Sequence, residues 1–143
     1  MRIVLHPFVA HFPIALLLLN LALTLAYLRR GDPFLERAAY GALVIGWWSA
    51  FAAVLTGTLE LALAWPVQDD LLVWVNVHAV LGFALLWVYG QALLMRKRDA
   101  RLLHGPRRRR YLSLLILGAL LVLAGGWVGG YLVHHLAFGV RTS

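Results

Sequence analysis

Four long apolar stretches, separated by short polar segments, dominate the chain. They cover about residues 7–28, 36–65, 71–95 and 111–138. A membrane-spanning helix needs roughly 20 mostly apolar residues, so each stretch is long enough to cross a bilayer. The turn-forming residues Gly31-Asp32-Pro33, Pro66 and Gly105-Pro106 lie between the stretches. Because the connections are short, we predict an all-α fold in which residues 1–143 form one integral membrane four-helix bundle with up-down-up-down topology.

Basic residues are concentrated at one side of this predicted bundle. Eleven of the thirteen lysines and arginines lie in or beside the first and third loops: Arg29, Arg30, Arg37, Arg96, Lys97, Arg98, Arg101 and 107–110. Only Arg2 and Arg141 lie on the other side. The positive-inside rule therefore predicts that both basic loops are cytoplasmic and both termini periplasmic. Because the net charge of +7 follows membrane topology, it does not indicate binding to nucleic acid.

Composition makes the lipid bilayer the first expected partner. Hydrophobic residues account for 62% of the chain and charged residues for 13%, whereas soluble domains contain about 25% charged residues. The sequence has no cysteine, which excludes disulfides, c-type haem attachment, thiolate zinc sites and iron–sulfur clusters held by this chain. Phosphate-binding loops, dinucleotide fingerprints and serine–histidine–carboxylate arrangements are not recognisable in the sequence either.

Histidines are concentrated at the predicted outer ends of three helices. They are His6 and His11 in the first, His78 in the third, and His134 and His135 in the fourth. With a rise of about 1.5 Å per residue, His11, His78 and His134 fall within about 5–10 Å of the outer edge of the apolar core. Glu60 in the second helix lies at the same level. Because ionisable groups inside a membrane are costly and usually functional, we predict that some of these side chains share a site.

The preferred occupant of this site is haem b. Neighbouring helices pack at about 8–10 Å, so diagonal helices of a square bundle stand about 11–14 Å apart, and the first and third helices are diagonal. His11 and His78 are therefore suited to bind one haem iron from opposite faces. His6, together with His134 or His135, could hold a second haem or contact its propionates.

Glycines and a proline give this interpretation further support. Gly57, Gly126 and Gly130 lack a Cβ atom, so they could clear room for a flat ring against the backbone. Plain helix–helix packing is the alternative role for such glycines. Pro13 removes a backbone donor, so we expect a weakened or kinked helix that turns His11 toward the bundle interior.

Other interpretations of the same residues stay open. His6, His11, His78 and His134 could instead hold Zn, Cu or non-haem Fe, because imidazole suits all three metals. Glu60 could join such a metal site. It could equally be an interface carboxylate, or a proton acceptor beside a redox or quinone site.

Each of the four predicted helices carries a short motif near its outer end. The motifs are His6-Pro7 and His11-Phe12-Pro13, Thr56-Gly57-Thr58-Leu59-Glu60, His78-Ala79-Val80-Leu81-Gly82, and Gly129-Gly130-Tyr131-Leu132-Val133 with a closing Gly139-Val140. With these motifs the chain resembles, over nearly its whole length, a bacterial membrane family known as domain of unknown function 2231. The resemblance implies a place beside Rieske iron–sulfur proteins and an electron-transfer setting at the outer face of the membrane.

Together these features predict a b-type cytochrome-like electron-transfer protein of the bacterial inner membrane, rather than a stand-alone enzyme. One haem, or two, would lie near the periplasmic side and exchange electrons with quinol or a Rieske-type redox partner. The alternative is a non-haem metal-binding or structural subunit of a larger membrane complex. The chain could act as a homo-oligomer or as a subunit of such a complex.

Overall fold

The computed structural model describes residues 6–64, 66 and 68–136, and within these ranges the chain is almost entirely helical. The helices are α1 (His6–Arg30), α2 (Pro33–Ala64), α3 (Asp69–Arg98) and α4 (Arg108–His134), with a 3₁₀ turn (Leu102–His104) before α4. All four α-helices are long enough and apolar enough to cross a membrane. The predicted all-α, four-helix membrane fold is therefore confirmed.

Some of the sequence-based expectations fall outside the described residues. These concern Arg2, Arg141, the motif Gly139-Val140, and the last residues of the second and fourth predicted spans, Trp65 and 137–138.

The four helices form a ring in which each packs against its neighbours in sequence and α4 closes onto α1. The most extensive contacts join α1 to α2 and α3 to α4, so the bundle consists of two helical hairpins. α1 and α3 are diagonal, as an up-down-up-down topology requires. We call the end that holds the two basic loops the basic end. The opposite end, which holds His6, Glu60, His78 and His134, is the histidine end.

In the turn between α1 and α2, both the end of α1 and the start of α2 are capped. Gly31 has a positive φ of 70°, and its N–H donates to the carbonyl four residues earlier at 2.8 Å, which is a left-handed helix stop that favours glycine. The Asp32 Oδ1 atom accepts a hydrogen bond from the Phe34 N–H at 2.8 Å. Pro33 occupies the first position of α2, where a missing N–H costs nothing. The helix therefore begins before the apolar stretch that starts near Glu36.

The most tightly packed core extends from the middle of the bundle to the basic end. Its fully buried side chains include Leu17, Leu43, Tyr89, Leu102 and Leu115. Tyr89 packs directly on Gly118, where an added Cβ would lie 2.5 Å from the tyrosine ring. Gly46 has the same relation to Leu17, at 2.7 Å. These two glycines therefore let the paired helices of each hairpin approach closely.

Polar side chains add to the packing at the basic end. Glu36 of α2 forms an ion pair with Arg96 of α3, and both side chains are largely buried. The Tyr27 hydroxyl of α1 lies 3.1 Å from the His104 Nε2 atom in the connection to α4. The basic end is thus fixed by packing and by polar contacts between the two hairpins.

Candidate functional site

A cavity of about 530 Å³ lies between the helices at the histidine end. All four helices contribute to its lining, which is mainly apolar. The ionisable side chains in the lining are His6 and His11 of α1, Glu60 of α2, His78 of α3 and His134 of α4. Small-molecule and cofactor sites typically enclose about 300–1,000 Å³ and have a few polar groups in an apolar wall. The cavity has the size and the chemical character of such a site.

His6 and His78 approach each other at this cavity. Their ring centres are 5.8 Å apart, and the ring planes meet at 82°. The His6 Nδ1–H donates to the carbonyl oxygen of Ala53 at 2.8 Å, so in the neutral ring the lone pair lies on Nε2. Metal-binding histidines are commonly held by such a hydrogen bond from the other ring nitrogen. The Nδ1 atom of His78 is buried and has no hydrogen-bond partner among the described residues.

Each of these two histidines rests on a glycine of a neighbouring helix. A Cβ added at Gly57 of α2 would lie 2.9 Å from the His6 Nδ1 atom. A Cβ added at Gly129 of α4 would lie 3.0 Å from the His78 Cε1 atom. Both distances are shorter than ordinary van der Waals contact, so the two rings can take these positions because the glycines have no side chain.

The glycines predicted to make room for a ring all line the cavity, but they differ in what faces them. The space beside Gly57 is filled by His6, and the Ile14 side chain comes within 3.8 Å of a Cβ at Gly126. Gly130 has nothing within 4 Å of an added Cβ. Gly129 was not among the predicted residues. Its available signal was the spacing of four from Gly125, which places both on one helix face.

Glu60 of α2 contacts the backbone of α1. Its Oε1 atom accepts a hydrogen bond from the His6 backbone N–H at 2.8 Å. This contact ties α2 to α1 beside the cavity, so Glu60 helps to determine where the His6 ring lies. This contact gives Glu60 a positioning role, while its role as a proton acceptor stays a prediction.

The other histidines are more exposed. His11 lines the cavity, but its ring is exposed and its Nδ1–H donates to the Pro7 carbonyl on the same helix at 2.6 Å. His134 is also an exposed lining residue. His135 stacks on Tyr131, with ring centres 5.0 Å apart. The histidine ring in contact with His78 is therefore that of His6, and the ligand roles of all five histidines stay predictions.

The direction in which each histidine points from α1 explains why His6, and not His11, contacts His78. The helix continues through Pro13 from His6 to Arg30, so it does not end at the proline. His6 and His11 are five residues apart, and with 3.6 residues per turn they are separated by about 140° around the axis. The two rings therefore point in different directions from α1, and it is the His6 ring that contacts His78.

A compact metal centre needs several ligands that converge on one point. Among the side chains that the structure describes, which do not include Asp69 and Asp70, no three histidine, aspartate or glutamate residues are close enough together to hold one metal ion. The set His6, His11, His78 and His134 surrounds the cavity without converging in this structure. A cofactor at this site would depend mainly on the facing pair, His6 and His78.

The fold and the cavity together define a four-helix membrane protein with a pair of facing histidines at one end of the bundle. Residues 2–142 match the family model described as "Predicted membrane protein (DUF2231)", and the chain belongs to this family. The family resemblance predicted from the motifs is thereby confirmed. The chain matches no curated protein sequence and no solved structure.

Proposed function

We propose that the chain is a b-type cytochrome-like electron-transfer protein that binds haem b between His6 and His78. The observation that carries this proposal is the 5.8 Å separation of the two imidazole rings at the cavity. A bond between a metal and an imidazole nitrogen is about 2 Å long, so two axial imidazoles hold their ring centres about 6 Å apart. The observed separation is close to this value.

The rest of the cavity supports the same class of ligand. Without cysteine, the chain cannot attach haem through thioether bonds, so a bound haem would be held non-covalently, which is the b-type mode. The mainly apolar lining suits a porphyrin ring. The hydrogen bond from His6 Nδ1 to Ala53 leaves the Nε2 lone pair available for iron. The haem would supply one-electron redox chemistry, and the chain would supply the ligands and exclude water.

The proposed location is the inner membrane of a bacterium, with the cavity in the periplasmic half. The basic loops lie at the end of the bundle opposite the cavity, and loops of this charge are usually cytoplasmic. Both termini would then be periplasmic. This placement favours quinol in the bilayer, or a Rieske-type protein at the outer surface, as the electron-transfer partner.

Absorbance spectroscopy of the purified protein tests this proposal. Protein from haem-replete cells should show a Soret band and a b-type spectrum after reduction. Because each variant removes one axial ligand, we expect His6→Ala and His78→Ala each to abolish the six-coordinate low-spin spectrum. His135→Ala is the matched control, since His135 stacks on Tyr131 and does not line the cavity; this variant should keep the spectrum of the original protein.

Two outcomes would contradict the proposal in different ways. Folded, full-length protein that is colourless after expression in haem-replete cells would exclude the cytochrome function, and metal analysis for Zn, Cu and Fe would then test the non-haem alternative. Loss of the low-spin spectrum in His11→Ala, with its retention in His6→Ala, would instead show that α1 provides His11 as the ligand. Thermal unfolding of each variant separates ligand loss from misfolding.

A further inference from the structure

A second pocket, of about 170 Å³, lies at the basic end between α3 and the start of α4. It is lined by Gln91, Leu94, Met95, Arg98, Arg107 and Arg110. Three arginines therefore line one small space, and two apolar residues form part of its wall. None of these residues lines the histidine cavity, so the pocket is separate from the proposed haem site.

The charge in this pocket is only partly neutralised by the chain itself. Arg107 forms an ion pair with Asp99, with Nη2 and Oδ2 3.2 Å apart, and its side chain is 61% exposed. Neither Arg98 nor Arg110 has an ion-pair partner in the part of the chain that the structure describes. Because like charges in one small pocket repel each other, a bound anion would stabilise the pocket.

We propose that this pocket binds the phosphate group of an anionic phospholipid. Arginine guanidinium groups match phosphate oxygens in bidentate geometry, and Gln91 offers an additional hydrogen-bond donor. The ends of membrane-spanning helices lie at the depth of lipid headgroups, where basic pockets between helices bind anionic lipids. Leu94 is 44% exposed, so an acyl chain can follow the α3 surface from the pocket into the bilayer.

Native mass spectrometry of the full chain in detergent tests this inference. The protein is titrated with dioleoylphosphatidylglycerol and, separately, with dioleoylphosphatidylcholine. We expect one tightly held phosphatidylglycerol per chain and weaker binding of phosphatidylcholine. The double variant Arg98→Gln with Arg110→Gln should lower the affinity for phosphatidylglycerol roughly tenfold or more, because it removes charge-assisted hydrogen bonds to the phosphate. Phosphatidylcholine binding should fall less, because its phosphate is already paired with its own choline cation.

A matched control removes the same charge from the same region. Lys97→Gln with Arg109→Gln neutralises two neighbouring cations outside the pocket, so this variant should bind phosphatidylglycerol nearly as the original protein does. Equal losses in both double variants would indicate diffuse charge attraction and overturn the proposed site. Should the Arg98 and Arg110 double variant fail to fold, Arg110→Gln alone is measured, with an expected loss of roughly tenfold for the charge-assisted hydrogen bonds that it removes; an unchanged affinity would exclude the site.

Competition with inorganic phosphate tests whether the anion in the pocket is a lipid headgroup or free phosphate. Because the proposed lipid is held by its acyl chains as well as its phosphate, millimolar inorganic phosphate should not displace phosphatidylglycerol. Displacement would show that the pocket takes free phosphate and would overturn the assignment to a lipid. Haem absorbance plays no part in these measurements, so their result is independent of the proposed electron-transfer function.

Discussion

Gly57 and Gly129 determine where the two facing imidazole rings can lie. An added Cβ at Gly57 would come within 2.9 Å of the His6 Nδ1 atom, which donates to the Ala53 carbonyl. A methyl group there would push the ring away and weaken that hydrogen bond. At Gly129, an added Cβ would come within 3.0 Å of the His78 ring, so the ring would have to shift toward the cavity. The orientation of both proposed ligands therefore depends on residues that contribute no side chain.

Substitution of either glycine by alanine should weaken haem binding. In Gly57→Ala, we expect the dissociation constant for haem to rise about fivefold, which corresponds to the loss of one hydrogen bond of about 1 kcal/mol. In Gly129→Ala, where the His78 ring must shift, we expect a rise of about fivefold or more, because overpacking costs about 1–3 kcal/mol. Titration of the haem-free protein followed by absorbance measures this change. Gly41→Ala is the control, because nothing lies within 4 Å of an added Cβ there and Gly41 does not line the cavity. The same rise in all three variants would mean that the glycines do not position the histidines.

The residues of the site show which part of its geometry can be inferred from sequence. Depth along a helix follows from residue number, so a common level for His78, Glu60 and the histidines of α1 could be predicted. Direction around the helix is harder, because it depends on which face of α1 packs inward. Pro13 led to the expectation that His11 turns inward, and in the structure the His6 ring lies beside His78. Which histidine of α1 contacts His78 could therefore not be inferred from the sequence, and which of the two binds a cofactor stays a prediction.

At the scale of the helices, hydropathy predicted their number and type but not their full length. α1 ends at Arg30, α3 ends at Arg98 and α4 begins at Arg108, in each case beyond the apolar stretch. Arginine is a good helix former, and its long side chain can reach water from a helix end. Hydropathy falls where these charges begin, although the backbone hydrogen bonds continue. A prediction based on apolar residues alone therefore does not include the charged ends of the helices.

Close packing within the α3–α4 hairpin depends on Gly118. Tyr89 is fully buried, and an added Cβ at Gly118 would lie 2.5 Å from its ring. Since the ring is enclosed, it has little room to move, and we expect Gly118→Ala to lower the free energy of unfolding by about 1–3 kcal/mol. Denaturant titration in mild detergent, followed by tryptophan fluorescence, measures the change.

Gly125→Ala provides the matched control on the same helix. Nothing lies within 4 Å of an added Cβ at Gly125, and alanine favours a helix over glycine by up to about 1 kcal/mol. The control should therefore unfold at the same or slightly higher denaturant concentration. If both variants lose stability equally, the loss does not come from the contact with Tyr89.

Across the whole molecule, packing is uneven between the two ends. The large buried cluster, which includes Leu43, Tyr89 and Leu115, lies toward the basic end. Near the histidine end, the corresponding cluster in the described residues consists of Val75, Val128 and Leu132, and the 530 Å³ cavity occupies the space between the hairpins. A ligand in this cavity would supply packing that the side chains do not. Its binding should therefore stabilise the histidine end more than the basic end.

Hydrogen exchange, read by mass spectrometry in lipid nanodiscs, tests this asymmetry within one molecule. Because segments with few buried contacts open at lower free energy, residues 53–64 and 71–82 should exchange faster without haem than residues 36–47 and 87–98, which lie at comparable depths from the opposite surface. Haem at 100 times its dissociation constant should slow exchange at the histidine end by up to roughly 100-fold, since opening there must release the ligand. Amides at the basic end should change little. Equal slowing at both ends would show that the bundle opens only as a whole, and no slowing at either end would show that the cavity is not where haem binds.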